Sequence, residues 1–278
     1  MTVALAASFE RQARHEAAGS PKIEIRDLSI DYTANDGKPG HRALDGLTLD
    51  VYKNEFLCVV GPSGRGKSTL IAAIAGFLRP RSGSLLLDGA AIRGPGADRG
   101  VVFQEYALLP WRTVLDNVTL GLRLRGVPRA ERNRIGHQFL DLINLTDAAH
   151  KYPHQLSGGM KQRVAVARTL ANEPEVMLMD EPFAAVDAQS RMILQEELVR
   201  IWLKLRVTVL FVTHSVEEAV FLADRVAVLT PGPGRVKSIV EIDIPRNQRT
   251  WTELGRSPRF TALREHVLHL VRGEGASG

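Results

Sequence analysis

Cysteine is almost missing from this chain of 278 residues, and the single Cys58 excludes any intramolecular disulfide and fits a reducing compartment. It lies inside the apolar run FLCVV, so a buried structural thiol is expected rather than a reactive one. Long apolar runs are missing too. The longest candidate, LIAAIAGFL at 70–78, falls well short of the ~18 residues of a membrane span, so if the protein works at a membrane another chain must cross it. No positive segment precedes the apolar stretch Val3–Ala7, which is shorter than the ~7–15 residues of a signal-peptide core; residues 1–20 therefore read as a loose extension. Clustered charge is also lacking. The 36 Lys and Arg exceed the 31 Asp and Glu by 5, but no run of five or six basic residues occurs. That pattern argues for a solvated, mildly basic surface and against a nucleic-acid partner. No internal repeat or low-complexity tract appears.

What is present is an alternation of strand and helix patterns. KIEIRDLSIDY (22–32) and LTLDVY (47–52) alternate with period two, as strands with one wet face do. EFLCVVG, VMLMD (176–180) and VTVLFVTH (207–214) are short apolar runs, the mark of buried parallel strands. SLLLDG and GVVFQ add further strands, and RVAVLT with VKSIVEIDI a closing pair. Helical patterns cover 66–78 and 113 to about 145, the latter with Ile135, Phe139 and Leu142 on one face. Another carries Leu194, Leu198, Ile201 and Leu205 in register, and the last covers 257–271. Strands separated by helices imply an α/β fold with a mostly parallel sheet. The expected organisation is an extension at 1–20, one domain at 21–250 with a helical subdomain at about 105–170, and a helical tail at 251–278.

GPSGRGKST (61–69) matches the phosphate-loop pattern G-x-x-x-x-G-K-[ST]. Its glycines let backbone N–H groups turn toward a phosphate, and the helix that follows adds its positive end. Lys67 is placed to reach the β and γ oxygens, and the Ser68 hydroxyl to ligate Mg²⁺. The loop follows a strand and opens a helix, so the chain is expected to bind a nucleoside triphosphate. VMLMDEP then delivers Asp180 and Glu181 at a strand tip, the first suited to a metal ion and the second to orienting or deprotonating water. Gln104 closes GVVFQ and His214 closes VTVLFVTH. In open parallel sheets ligands bind beyond the carboxyl ends of strands, so both point toward the nucleotide. His214 also precedes a helix start at which Ser215 and Glu218 form a capping box. Asp187 is a further candidate for the site, although it could simply cap a helix at 188–204.

The order of phosphate loop, Gln104, LSGGMKQR (156–163), VMLMDEPF, Asp187 and His214 resembles an ATP-binding cassette (ABC) ATPase over roughly 22–245. LSGGMKQR is similar to the family's signature motif, which other phosphate-loop families lack. The resemblance implies a phosphate-loop NTPase core with a mostly parallel sheet, an antiparallel β part near the N-terminus and a signature-bearing helical subdomain. It also implies a head-to-tail homodimer, in which Ser157 and Gly159 hold the γ-phosphate of the other subunit's ATP. The implied nucleotide-binding set is Gly61, Pro62, Ser63, Gly64, Arg65, Gly66, Lys67, Ser68 and Thr69, with Tyr32 stacking on adenine, Ser157, Gly158 and Gly159 acting from the signature, and Asp187. Glu181, His214 and Gln104 are the catalytic candidates, and Ser68, Gln104 and Asp180 the Mg²⁺ ligands.

The segment ADRGVVFQEYALLPWRTVLDNV (97–118) and Met160 in the signature are similar to ATPase subunits of bacterial nitrate, sulfonate and taurine importers. They imply a motor at the cytoplasmic face of the membrane that drives an integral permease and, indirectly, a periplasmic or extracellular solute-binding protein. Taurine or an aliphatic sulfonate is the favoured cargo, with nitrate or a pyrimidine precursor as alternatives. The competing reading is a soluble ABC ATPase of DNA repair or translation, but such proteins usually carry two cassettes, coiled-coil insertions or basic arms, and none is visible. A regulatory module that binds nucleotide without turnover is disfavoured by Glu181 beside Asp180. The sequence departs from the family pattern at AAVD before Asp187 and at Arg65 in the phosphate loop.

Overall fold

The computed structural model describes residues 19–32, 40–62, 64 and 66–273; the expected extension lies almost wholly outside them. The fold is built on two sheets. A four-stranded antiparallel sheet has the order β2–β1–β4–β5, from β1 (Pro21–Asp31), β2 (Arg42–Tyr52), β4 (Ser82–Leu87) and β5 (Ala90–Ala91). A six-stranded sheet has the order β10–β9–β3–β8–β7–β6. Its strands are β3 (Phe56–Val60), β6 (Arg99–Val102), β7 (Val176–Asp180), β8 (Thr208–Val212), β9 (Arg225–Leu229) and β10 (Val236–Glu241). All of these pair in parallel except β10, which closes the edge antiparallel to β9.

The apolar runs make this sheet because it is covered on both faces. Successive residues of β3 alternate between two cores: Leu57 and Val59 pack with the small sheet and with helix α1 (Lys67–Ile74), while Phe56, Cys58 and Val60 pack with the remaining helices. Every residue of β3, β8 and β9 is buried, which requires continuous apolar runs rather than alternation. Cys58 is fully buried, and its burial pushes the thiol's pKa well up, as befits a packing residue.

The helical stretch expected from 113 to about 145 is broken into α2 (Val114–Val118), α3 (Leu120–Leu124) and α4 (Arg129–Leu142). Thr119 turns its hydroxyl back to the Leu115 carbonyl at 2.8 Å, Gly126 takes a positive φ of 77°, and Pro128 brings no N–H to a continuing helix. The inward face of α4 is also one residue on from that expected. Gly136, Leu140 and Ile143 are buried, whereas Ile135, Phe139 and Leu142 are half-buried beside them. After α5 (Gly158–Leu170) and β7, helix α6 (Ala188–Leu205) buries Leu194, Leu198 and Ile201 as expected. Leu205 ends the helix and is exposed.

Helix α7 (Val216–Leu222) is followed, beyond β9 and β10, by α8 (Trp251–Leu254) and α9 (Pro258–Arg272). These C-terminal helices are packed onto the core: Trp251 stacks on Phe221 with ring centroids 4.2 Å apart, and Phe260, Leu263 and Val267 are buried. Arg249, 3% exposed, ties this segment down. Its guanidinium donates to the carbonyls of Ile244, Phe221 and Ala223, the last at 2.7 Å, so it satisfies groups that the C-terminus of α7 leaves open. Burial and the neighbouring Arg246 lower its pKa to about 10, which still leaves it charged at neutral pH. Arg249→Leu strands these buried carbonyls, and urea unfolding should show a loss of about 2–4 kcal/mol. A change below ~0.5 kcal/mol would mean that the clasp is dispensable.

Candidate functional site

The carboxyl ends of β3, β8 and β7 lie side by side because these strands are neighbours in the sheet. Beyond β3 the chain turns through Gly61, Pro62 and Gly64 into α1. Gly66 caps that helix at φ 86°, and a Cβ there would sit 2.5 Å from both the Ala43 carbonyl oxygen and a Leu44 methyl. Only glycine suits both the backbone and the space. Ser63 and Arg65 lie outside the described residues.

Lys67 is 5% exposed, and its ammonium donates to the Gly61 and Pro62 carbonyls at 2.9 and 3.0 Å. Burial holds its pKa below the usual lysine value, although the charges of Glu181 and Asp180 oppose this. Ser68 Oγ donates to Asp180 Oδ1 at 3.1 Å. Burial raises the Asp180 carboxyl, while the Ser68 bond works the other way. The two oxygens form a hard donor pair at the mouth of the loop. A cavity of about 190 Å³ is lined by Tyr32, His41, Ala43, Gly64, Gly66, Lys67, Ser68, Thr69 and Glu181. The Tyr32 hydroxyl lies 3.1 Å from Thr69 Oγ1 at the rim, with the ring 44% exposed.

Glu181 does not simply prolong its strand. It adopts φ 43°, a left-handed conformation that costs an L-residue about 1–2 kcal/mol, and its N–H donates to Val212 O at 2.9 Å. This kink brings Glu181 Oε2 to 2.8 Å from His214 Nδ1, two residues past the end of β8. Strained backbone of this kind concentrates at functional sites. The pair has the geometry of a carboxylate base and the imidazole that orients it.

The expected capping box at Ser215 forms only in part. Ser215 Oγ accepts the Glu218 N–H at 3.3 Å, but the Glu218 carboxylate turns inward to Gln195, and the Ser215 N–H goes to Thr213 Oγ1. Gln104 is also displaced from its expected place, because β6 stops at Val102 and Gln104 sits exposed in the bend beyond. It stands at the strand end next to that of β7.

The signature residues and Asp187 are not among the residues that line this cavity. Ser157 is exposed at the N-terminus of α5, where its Oγ accepts the Met160 N–H at 3.3 Å. Asp187 caps α6 by accepting the Ser190 N–H at 2.9 Å, and this backbone bond holds its carboxyl below the usual range. Sequence reasoning missed His41 and Ala43 on the cavity wall, for which no motif gives a signal.

The family model described as ABC transporter matches residues 44–184. The chain belongs to the ABC transporter family. An uncharacterized ABC transporter ATP-binding protein of Methanocaldococcus jannaschii is 54% identical, covering 91% of this chain and 92% of its own. The nitrate import ATP-binding protein of Synechocystis is 44% identical over 90% of this chain and 95% of its own. The taurine import ATP-binding protein of Rhizobium johnstonii is 46% identical over 88% and 94%. A dimeric ATP-binding cassette solved in a post-hydrolysis state with ADP and Pi superposes with a TM-score of 0.69 at 29% identity, covering 80% of this chain and 100% of that one. This ABC subunit therefore binds and hydrolyses ATP, and its phosphate loop, Asp180, Glu181 and His214 stand together at one sheet edge. Gly66→Ala should reduce ATP affinity at least ~10²-fold by equilibrium binding, since the loop cannot close over an added Cβ. Affinity within threefold of the parent would show that the loop tolerates it.

Proposed function

We propose that the chain is the motor subunit of an importer, working as a homodimer against integral-membrane permease subunits at the cytoplasmic face of the membrane. The observation that carries this reading is the exposed signature. Ser157, Gly158 and Gly159 open a 13-residue helix whose positive end suits a phosphate, yet they are not among the residues that line their own chain's cavity. A second subunit placed head to tail lays this helix end, with Asp187, over the partner's ATP. The cassette relative solved as a dimer supports the pairing of two subunits.

On this reading Gly61, Pro62, Ser63, Gly64, Arg65, Gly66 and Thr69 cradle the phosphates, Lys67 exchanges its loop carbonyls for phosphate oxygens, and Tyr32 stacks on adenine. The Ser68–Asp180 oxygen pair fits Mg²⁺, which binds through few protein oxygens together with phosphates and supplies charge neutralisation when bound. Gln104 completes that set from the adjoining strand end. Glu181 takes a proton from the attacking water, and His214 holds the carboxylate in place. Among the described residues no helix is long and apolar enough to cross a membrane, and on this reading the permease is a separate chain.

Its docking surface is the segment after Gln104. Trp111 is 69% exposed, and Phe103 stacks on Phe77 with both rings exposed. The loop beneath is firmly held: Asn117 bonds the backbone of Leu109, Arg112 and Thr113, and Arg168 donates to the carbonyls of Tyr106 and Ala107. Leu108 packs partly into the core, so Trp111 is the cleaner probe. A rigid loop that presents exposed aromatics suits a short helix of a partner, and a solute-binding protein acts on the far side of that permease. For the cargo, a small anionic or zwitterionic solute, the taurine and nitrate import relatives support two chemistries. Taurine or an aliphatic sulfonate is favoured, and uptake by a deletion strain across sulfonates, nitrate and pyrimidine precursors decides among them.

The dimer is tested by mixing a Ser157→Arg subunit with a Lys67→Ala subunit. Both defects fall in one composite site if the signature acts in trans, so the mixture should regain hydrolysis that neither homodimer has. Activity no higher than in either homodimer would place the signature in cis. Glu181→Gln should lower turnover at least ~10²-fold while ATP still binds and an ATP-bound dimer accumulates on size exclusion; near-normal turnover removes Glu181 from the mechanism. Trp111→Asp should abolish co-purification with the permease at an unchanged melting temperature. Retained co-purification would move the docking site elsewhere.

A further inference from the structure

Glu218 is 5% exposed in the first turn of α7 but does not line the nucleotide cavity. It lies where three elements meet. From α6, Gln195 Nε2 donates to Glu218 Oε1 at 2.7 Å. From the loop after β8, the Thr213 side chain stands beside the same carboxylate. Gln195 and Thr213 are each 2% exposed, so this junction is dry. Thr213 Oγ1 accepts the Ser215 N–H at 3.0 Å, and the Thr213 N–H donates to Val59 O of β3 at 3.2 Å. Thr213, on one side of His214, thus borders the Glu218 carboxylate, and Ser215, on the other, caps the Glu218 amide. The imidazole itself is 55% exposed and is held at Glu181. One turn before Gln195, Arg191 donates to Val186 O at 2.9 Å and adds its positive charge near the same carboxylate. The network therefore runs from the His214 turn to the loop that Asp187 ends.

A buried carboxylate is a costly way to join two helices, since an apolar side chain of similar volume serves stability as well or better. Here the carboxylate bonds Gln195 of α6 and faces Thr213, next to His214. We propose that Glu218 is a positioning residue for ATP hydrolysis. Through Gln195 its side chain fastens the first turn of α7, which Ser215 caps, to α6, and it packs beside Thr213, so that the turn bringing His214 to Glu181 is held. This inference rests on reading Glu181 and His214 as the water-activating pair.

The test is steady-state hydrolysis by the full chain. Glu218→Ala should lower kcat at least about tenfold with KM for ATP within about threefold, and Glu218→Gln, which keeps the shape and an acceptor oxygen, should recover most of the loss. If Glu218→Ala does not fold, Gln195→Met removes the donor at similar volume and should lower kcat about threefold or more. In a His214→Ala background, Glu218→Ala should add no further loss. Unchanged kcat in folded variants with only a lowered melting temperature, or losses that multiply with His214→Ala, would overturn the proposal. If His214→Ala alone leaves kcat intact, the Glu181–His214 reading itself fails. An inactive His214→Ala beside a fully active Glu218→Ala defeats only the positioning role.

Discussion

Burial of the large sheet on both faces governs everything else in the molecule. Its strands carry apolar side chains into two separate cores, Leu57 and Val59 into one, Phe56, Cys58 and Val60 into the other. No polar group can be placed along such a strand without desolvation cost, so chemistry is confined to the tips. Gly61, Asp180 and His214 stand at the ends of β3, β7 and β8, and the sheet order makes those ends neighbours although Gly61 is over a hundred positions from the other two in the chain. Gln104 joins the row from β6. The site is thus a consequence of how the core is closed.

Much of this was legible because each strand announces its own tip. An apolar run that stops at a polar residue marks both the strand and the position where a side chain meets the ligand edge, as in VMLMD–Glu181 and VTVLFV–Thr213–His214. The phosphate loop was legible for a different reason: Gly66 is required by a left-handed backbone and by the close approach of Ala43, so its spacing from Lys67 is fixed by covalent geometry. What stayed hidden depends on contacts between distant segments. The breaks in the 113–145 helix were visible as residues, but only the back-bonding of Thr119 and the turn at Gly126 decide where it divides. His41 reaches the cavity wall just before β2, where its carbonyl accepts the Tyr32 N–H at 3.0 Å, a pairing that no local pattern reports. Glu218 looked like a capping residue, and its first-turn position is right for one, yet the competing donor came from Gln195 on another helix.

The polar groups of the cavity are already partnered with one another, and that bears on how a dimer would work. Lys67 bonds two loop carbonyls, Ser68 bonds Asp180, Glu181 bonds His214, and Tyr32 bonds Thr69. A triphosphate entering here exchanges hydrogen bonds rather than adding them, so its net gain from each is modest, about 0.5–1.5 kcal/mol for a neutral pair and more where charge is involved. The signature end of α5 differs. Ser157 uses one lone pair on the Met160 N–H, and the serine is otherwise exposed. Its helix end therefore gives up little when a phosphate arrives, apart from hydration. On the proposed head-to-tail arrangement, the interactions that ATP gains most fully are those made with the other subunit. The nucleotide's charge would then be spent on holding two chains together, and hydrolysis, by removing the γ-phosphate from the signature, would release them.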